Sequence, residues 1–88
     1  MIELNHAVAI SMVDGPDAGL SRLDALAARE GIGGYHLLHA ARAALLRRAG
    51  RLPEAGAAYE LALSLAGNEA ERRYLGRRLA EVTTAARA

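Results

Sequence analysis

Apolar positions along this 88-residue chain recur at helical spacing, and glycine, proline and asparagine cut the pattern into five segments. The first spans about residues 3–13 and stops at Asp14-Gly15-Pro16. Pro16 suits the first position of the next helix, where its missing N–H is not needed, and Asp17 sets negative charge near that helix's positive end. This second segment carries Leu20, Leu23 and Ala27 on one face and ends at Gly31; Gly33 and Gly34 then allow a chain reversal. The third runs over about 35–49 to Gly50, with Arg47 and Arg48 in its last turn, favourable for the helix dipole. Pro53 opens the fourth, which ends near Gly67. Asn68 and Glu71, three apart, predict a capping-box-like start for the fifth. Its stripe is Leu75, Leu79 and Val82, with Tyr74 flanking, and the tail beyond about Thr83 is expected to fray.

Small residues mark where two antiparallel helices must touch. Ala43, Ala55 and Ala62 let backbones approach closely, and Tyr59 fills the gap between the last two. Gly19, Leu23 and Leu26 share the spacing of Ala55, Tyr59 and Ala62, offset by about 36 residues. The pattern predicts two helix hairpins plus a closing helix, in one domain over residues 1–88. A hairpin of this kind cannot bury its apolar face alone and must stack on a neighbour.

Composition sharpens the fold class to all-α. Alanine and leucine, both strong helix formers, dominate a 52% apolar fraction, while phenylalanine and tryptophan are absent. All eleven basic residues are arginine, yet the net charge is only +1, so no strong field directs the chain to nucleic acid or an anionic membrane. The lack of cysteine removes disulfides, thiolate metal sites and cysteine nucleophiles, and fits a cytoplasmic location. The N-terminal run MIELNHAVAI has no basic region and makes a poor signal peptide. No apolar run approaches the roughly 20 residues that span a bilayer.

Candidate chemistry is sparse. His36 and His39 lie three apart and His6 is on the first segment, but HxxH alone is a weak metal pattern and no acidic ligand is fixed nearby. Neither metal nor cofactor is expected. The doublets Arg47-Arg48, Arg72-Arg73 and Arg77-Arg78 suggest phosphate contacts only until their acidic neighbours are counted. Glu69 is placed to pair with Arg72 and Arg73, and Glu81 with Arg77 and Arg78, which predicts a solvated, balanced face. Ser11, Ser21 and Ser64 are scattered, and the Gly31–Gly34 run follows a helix instead of a strand. An enzyme is not expected.

Two resemblances emerge. The stretch Ala43 to Gly67 is similar to a tetratricopeptide repeat, with its small residue, turn glycine, small–aromatic–small series and terminal breaker in register. It departs from the family at His39 and Arg42, where large apolar residues are usual. More of the chain resembles the C-terminal extension of a group of extracytoplasmic-function RNA polymerase sigma factors. The strings LNHAVA (Leu4 to Ala9), DGPDAGL (Asp14 to Leu20), GYHLLHAARAALLRRAGR (Gly34 to Arg51), LSLAGN (Leu63 to Asn68) and ERRYLGRRLAE (Glu71 to Glu81) carry it.

The resemblance implies about five antiparallel helices in right-handed, tetratricopeptide-like stacking. It also implies a regulatory or interaction module of bacterial transcription control, without the promoter- and core-polymerase-binding domains. Its expected partner is another protein or the sigma factor's own upstream domains, without direct contact to nucleic acid. In such a hairpin the third segment is the inner helix, so Leu37, Ala40, Ala44, Arg47 and Arg48 would line the concave side, joined by Asn5. Arginine and asparagine there would grip a peptide backbone or carboxylate. The alternative is a free-standing, self-associating adaptor, a homodimer whose groove is filled by a twin chain.

Overall fold

A computed structural model describes residues 15–31 and 34–87. They form four α-helices and no strand: α1 (Pro16–Glu30), α2 (His36–Arg48), α3 (Leu52–Leu65) and α4 (Glu69–Arg87). These are the second to fifth segments of the sequence pattern, so the all-α expectation holds for the described residues. The expected first helix, with Asn5 and His6, lies outside them.

Local chemistry explains most of the boundaries. Pro16 sits at the start of α1 behind Gly15 (φ 96°), and Gly31 closes the helix in the left-handed conformation (φ 65°), donating its N–H to the Ala27 carbonyl. The α2–α3 turn is tighter. Gly50 (φ 79°) donates to the Arg47 carbonyl at 3.0 Å, and Arg51 donates to that of Leu46 at 2.9 Å. These two bonds form a Schellman motif, which satisfies the last carbonyls of α2 and reverses the chain in three residues. At α4 the Glu71 N–H donates to the Asn68 side-chain oxygen at 2.8 Å, while the Asn68 amide donates back to the Glu71 carboxylate at 2.7 Å. The predicted capping-box-like pair is therefore formed, with the Asn68 side-chain amide donating in place of its backbone N–H.

The tail departs from expectation. Instead of fraying beyond Thr83, α4 continues to Arg87. Thr83 and Thr84 are followed by helix-favouring Ala85 and Ala86, the Thr83 hydroxyl bonds the Leu79 carbonyl at 2.8 Å, and Ala86 and Arg87 lie along α3 beside Leu52 and Pro53.

The helices pack in chain order: α1 on α2, α2 on α3, α3 on α4. A single apolar cluster joins them. From α1 it takes Leu20, Leu23 and Leu26; from α2, Leu38, Ala43, Leu45 and Leu46; from α3, Ala55, Ala58, Tyr59 and Ala62; from α4, Leu75 and Val82. Tyr59 is 2% exposed between the fully buried Ala55 and Ala62, as the small–aromatic–small pattern predicts. Gly19, Leu23 and Leu26 are buried too, so the two similarly spaced trios occupy equivalent, inward-facing positions on α1 and α3.

Candidate functional site

Short turns make α2, α3 and α4 alternate in direction, which leaves α2 and α4 running the same way on either side of α3. Side chains bridge them at both ends. At the start of each helix, His36 Nε2 meets Glu71 Oε2; both atoms are buried and have no other partner among the described residues. Near the far ends, Arg47 reaches Glu81 at 3.8 Å. A third bridge, Asp17 to Arg51 at 3.8 Å, joins the start of α1 to that of α3.

Polar groups from both α2 and α4 act electrostatically on the Tyr59 phenol. Arg47 comes from α2, and Tyr74, Arg78 and Glu81 from α4. Burial raises the Tyr59 phenol above its ordinary value, with neighbouring Arg47 opposing that shift. Arg78 donates to the Glu81 carboxylate at 2.9 Å and to the Tyr74 hydroxyl at 3.4 Å, and its guanidinium lies 5.4 Å from the Tyr74 ring centre. Those contacts, led by the Tyr74 hydroxyl, hold Arg78 protonated more firmly than usual. Tyr74 itself is 47% exposed, so an aromatic face and a cation stand together at the surface.

The expected partner-binding residues separate into two groups. Leu37 and Ala40 are half-buried and packed against the core, Ala44 is half-buried beside them, and Arg47 continues the same face toward Glu81. Arg48 is exposed and turned away, because adjacent helical residues differ by about 100° in direction. The two arginines therefore do not form one fork. Asn5 lies outside the described residues.

The arginine doublets of α4 also resolve individually. Arg78 pairs with Glu81 as expected, but Arg72 reaches back 2.8 Å to the Leu63 carbonyl, and Glu69 forms no ion pair with Arg72 or Arg73. Leu63 is in the last turn of α3; its carbonyl already accepts the Ala66 N–H at 3.3 Å, and the guanidinium occupies its second lone pair. His39 does not join His36; it lines a recess between α2 and α3 with Arg42, Ala58 and Leu61. Arg42 is held by Asp24 of α1 at 3.0 Å. Among the described residues no three or more histidine, aspartate or glutamate side chains are gathered as metal ligands, and no helix is long and apolar enough to cross a membrane.

The bridges between alternate helices carry no local sequence signal, because their partners are more than 30 residues apart. Only the relative direction of α2 and α4 makes His36 and Glu71 neighbours. No protein-family model matches this chain, and no solved structure matches it. It is similar to an uncharacterized protein of Rhizobium meliloti (strain 1021), 39% identical over 75 residues. The match covers 85% of this chain and 17% of that protein, so this chain spans about a sixth of the length of a curated relative.

Proposed function

We propose that this chain is a tetratricopeptide-like interaction module, the regulatory extension of an extracytoplasmic-function sigma factor. Its partner segment lies along the surface shared by α2 and α4. The observation that carries the repeat reading is the spacing of the three bridges that join alternate helices; the fourth inter-helix pair, Asp24–Arg42, joins the neighbours α1 and α2. Asp17–Arg51, His36–Glu71 and Arg47–Glu81 join residues about 34, 35 and 34 positions apart. One tetratricopeptide period is about 34 residues, and stacking such units places equivalent helices side by side. The sigma-factor part rests on the resemblance of the quoted strings. The much greater length of the Rhizobium relative supports it, since that leaves room for further domains in a protein carrying a similar segment.

On this reading α2 and α4 are the inner helices. Leu37, Ala40 and Ala44 supply apolar contact, Arg47 and Arg78 supply cations, and Tyr74 offers a stacking face. A partner carboxylate would compete with Glu81 for Arg47, which makes that bridge a replaceable contact. The first helix of the expected fold, outside the described residues, carries Asn5, the remaining candidate contact.

The first test is the reading frame upstream of the Met1 codon. An in-frame continuation encoding polymerase- and promoter-binding helices supports the proposal; a stop codon with its own ribosome-binding site removes the sigma-factor part. Where those domains exist, titrating them with this chain is expected to show saturable binding. Arg47→Glu should abolish it while helicity by circular dichroism persists, whereas Arg48→Glu, on the face turned away, should leave it intact. Undiminished binding by Arg47→Glu would sink the surface assignment.

A further inference from the structure

Helix α3 is unlike its neighbours: only Glu54 and Glu60 are charged among its fourteen residues. A helix that is apolar nearly all round is ordinarily covered nearly all round. Here α2 and α4 cover two sides and bury Ala55, Ala58, Tyr59 and Ala62, while Ala57, Leu61 and Leu65 remain exposed, Leu61 at 45%. Beside this ridge a groove of about 320 Å³ runs between α3 and α4, with Gly56, Leu79 and Val82 along its floor and Ala57 on its rim. Glycine is unfavourable inside a helix, and α4 does not demand it here. A Cβ at Gly56 would stand 3.8 Å from Val82 and 3.9 Å from Leu79, ordinary contact distances. The missing side chain instead keeps the groove open.

The groove's charges sit at opposite ends. Glu60 lies at the end beside Leu79, and Arg87 at the end beside Leu52. Neither forms an ion pair with another described residue. An apolar channel with an acid at one end and a base at the other is complementary to itself under a two-fold rotation perpendicular to its length.

We propose that the α3–α4 groove is a self-association surface. A second copy of this chain docks antiparallel upon it, with Glu60 of each copy facing Arg87 of its partner. The α3 ridge enters the twin groove, and Gly56 and Ala57 let the two α3 helices approach closely. This surface is separate from the α2–α4 surface assigned to the protein partner, so both can be occupied together. The channel is short against the roughly 800 Å² per partner of a standard interface, so the dimer is weak and concentration-dependent.

Sedimentation equilibrium of the full chain between about 10 μM and about 1 mM tests the proposal. The mass is expected to rise from 9.3 kDa toward twice that value. Glu60→Arg and Arg87→Glu should each weaken association about tenfold by opposing like charges, and combining them should restore it. Gly56→Leu should abolish it by filling the floor, with circular dichroism confirming that α3 remains helical. A chain monomeric throughout would overturn the proposal and leave the groove to a different protein. A dimer indifferent to the charge reversals, or unrestored by the combined variant, would overturn the two-fold pairing.

Discussion

The first and third helices of the described chain are packed by different means. On α1 the buried side chains are leucines, Leu20, Leu23 and Leu26, and one surface pair, Asp24 with Arg42, ties this helix to α2. On α3 the buried residues are Ala55, Ala58, Ala62 and a single large one, Tyr59. Interdigitated leucines hold helices apart and fill the space between them; alanines bring helices together and leave one gap for one plug. The first arrangement spreads its stabilisation over several interchangeable side chains. The second concentrates it in Tyr59, whose neighbours come from both α2 and α4.

Truncating the plug should therefore do the most damage. Tyr59→Ala is expected to cost about 3–5 kcal/mol and Leu23→Ala about 2–4 kcal/mol, measured by urea denaturation. Equal or reversed losses would break the comparison. The tyrosine adds a pH signature that leucine cannot give. Burial raises its folded-state pKa above the ordinary 10.0, so its contribution is complete below pH 10. That contribution is lost as pH climbs from 10 through the raised folded value, because the unfolded phenol ionises first. Tyr59→Phe should flatten that alkaline decline in a series of melts.

Overpacking probes the same contrast from the other side. Ala55→Leu forces a large side chain into a close helix contact and should cost about 1–3 kcal/mol, whereas Leu23→Met should cost less than about 1.5 kcal/mol. A smaller change is expected at the turn that sets the α2–α3 approach. Gly50→Ala places a Cβ in the left-handed region and should lower stability by about 1–2 kcal/mol without altering the helices. If it instead loosens Tyr59, seen as a fall in the tyrosine pKa, the turn and the plug act as one unit.

Much of this architecture was legible in the chain because its determinants are local. Pro16, Gly31, Gly50 and the Asn68–Glu71 pair set helix boundaries through bonds spanning no more than five residues. The trio Ala55, Tyr59, Ala62 is a one-face pattern that periodicity detects. The candidate surface was less legible. Leu37, Ala40, Ala44 and Arg47 share a face as their spacing predicts, but Arg48 diverges, and Arg47 is engaged by Glu81 on a helix more than 30 residues away. Tyr74 and Arg78 were read only as a flanking aromatic and a solvated charge; their stacking needs the side-chain geometry of α4. The helix beyond Thr83 is not marked by the apolar stripe, because Thr83 to Arg87 are exposed and continue α4 through helix-favouring Ala85 and Ala86.

The chain-order packing has a kinetic consequence. Each helix finds its main partner immediately before or after itself in sequence, so every docking event closes a loop of only a few residues. Such low contact order places folding in the microsecond-to-millisecond range characteristic of helical bundles. It also permits assembly in the order of synthesis: α2 can collapse on α1 before α3 has left the ribosome, and α4 adds last over a platform already in place. Little apolar surface need wait for a distant partner. Among the described helices, a nascent chain of this design has one growing edge waiting for its next partner.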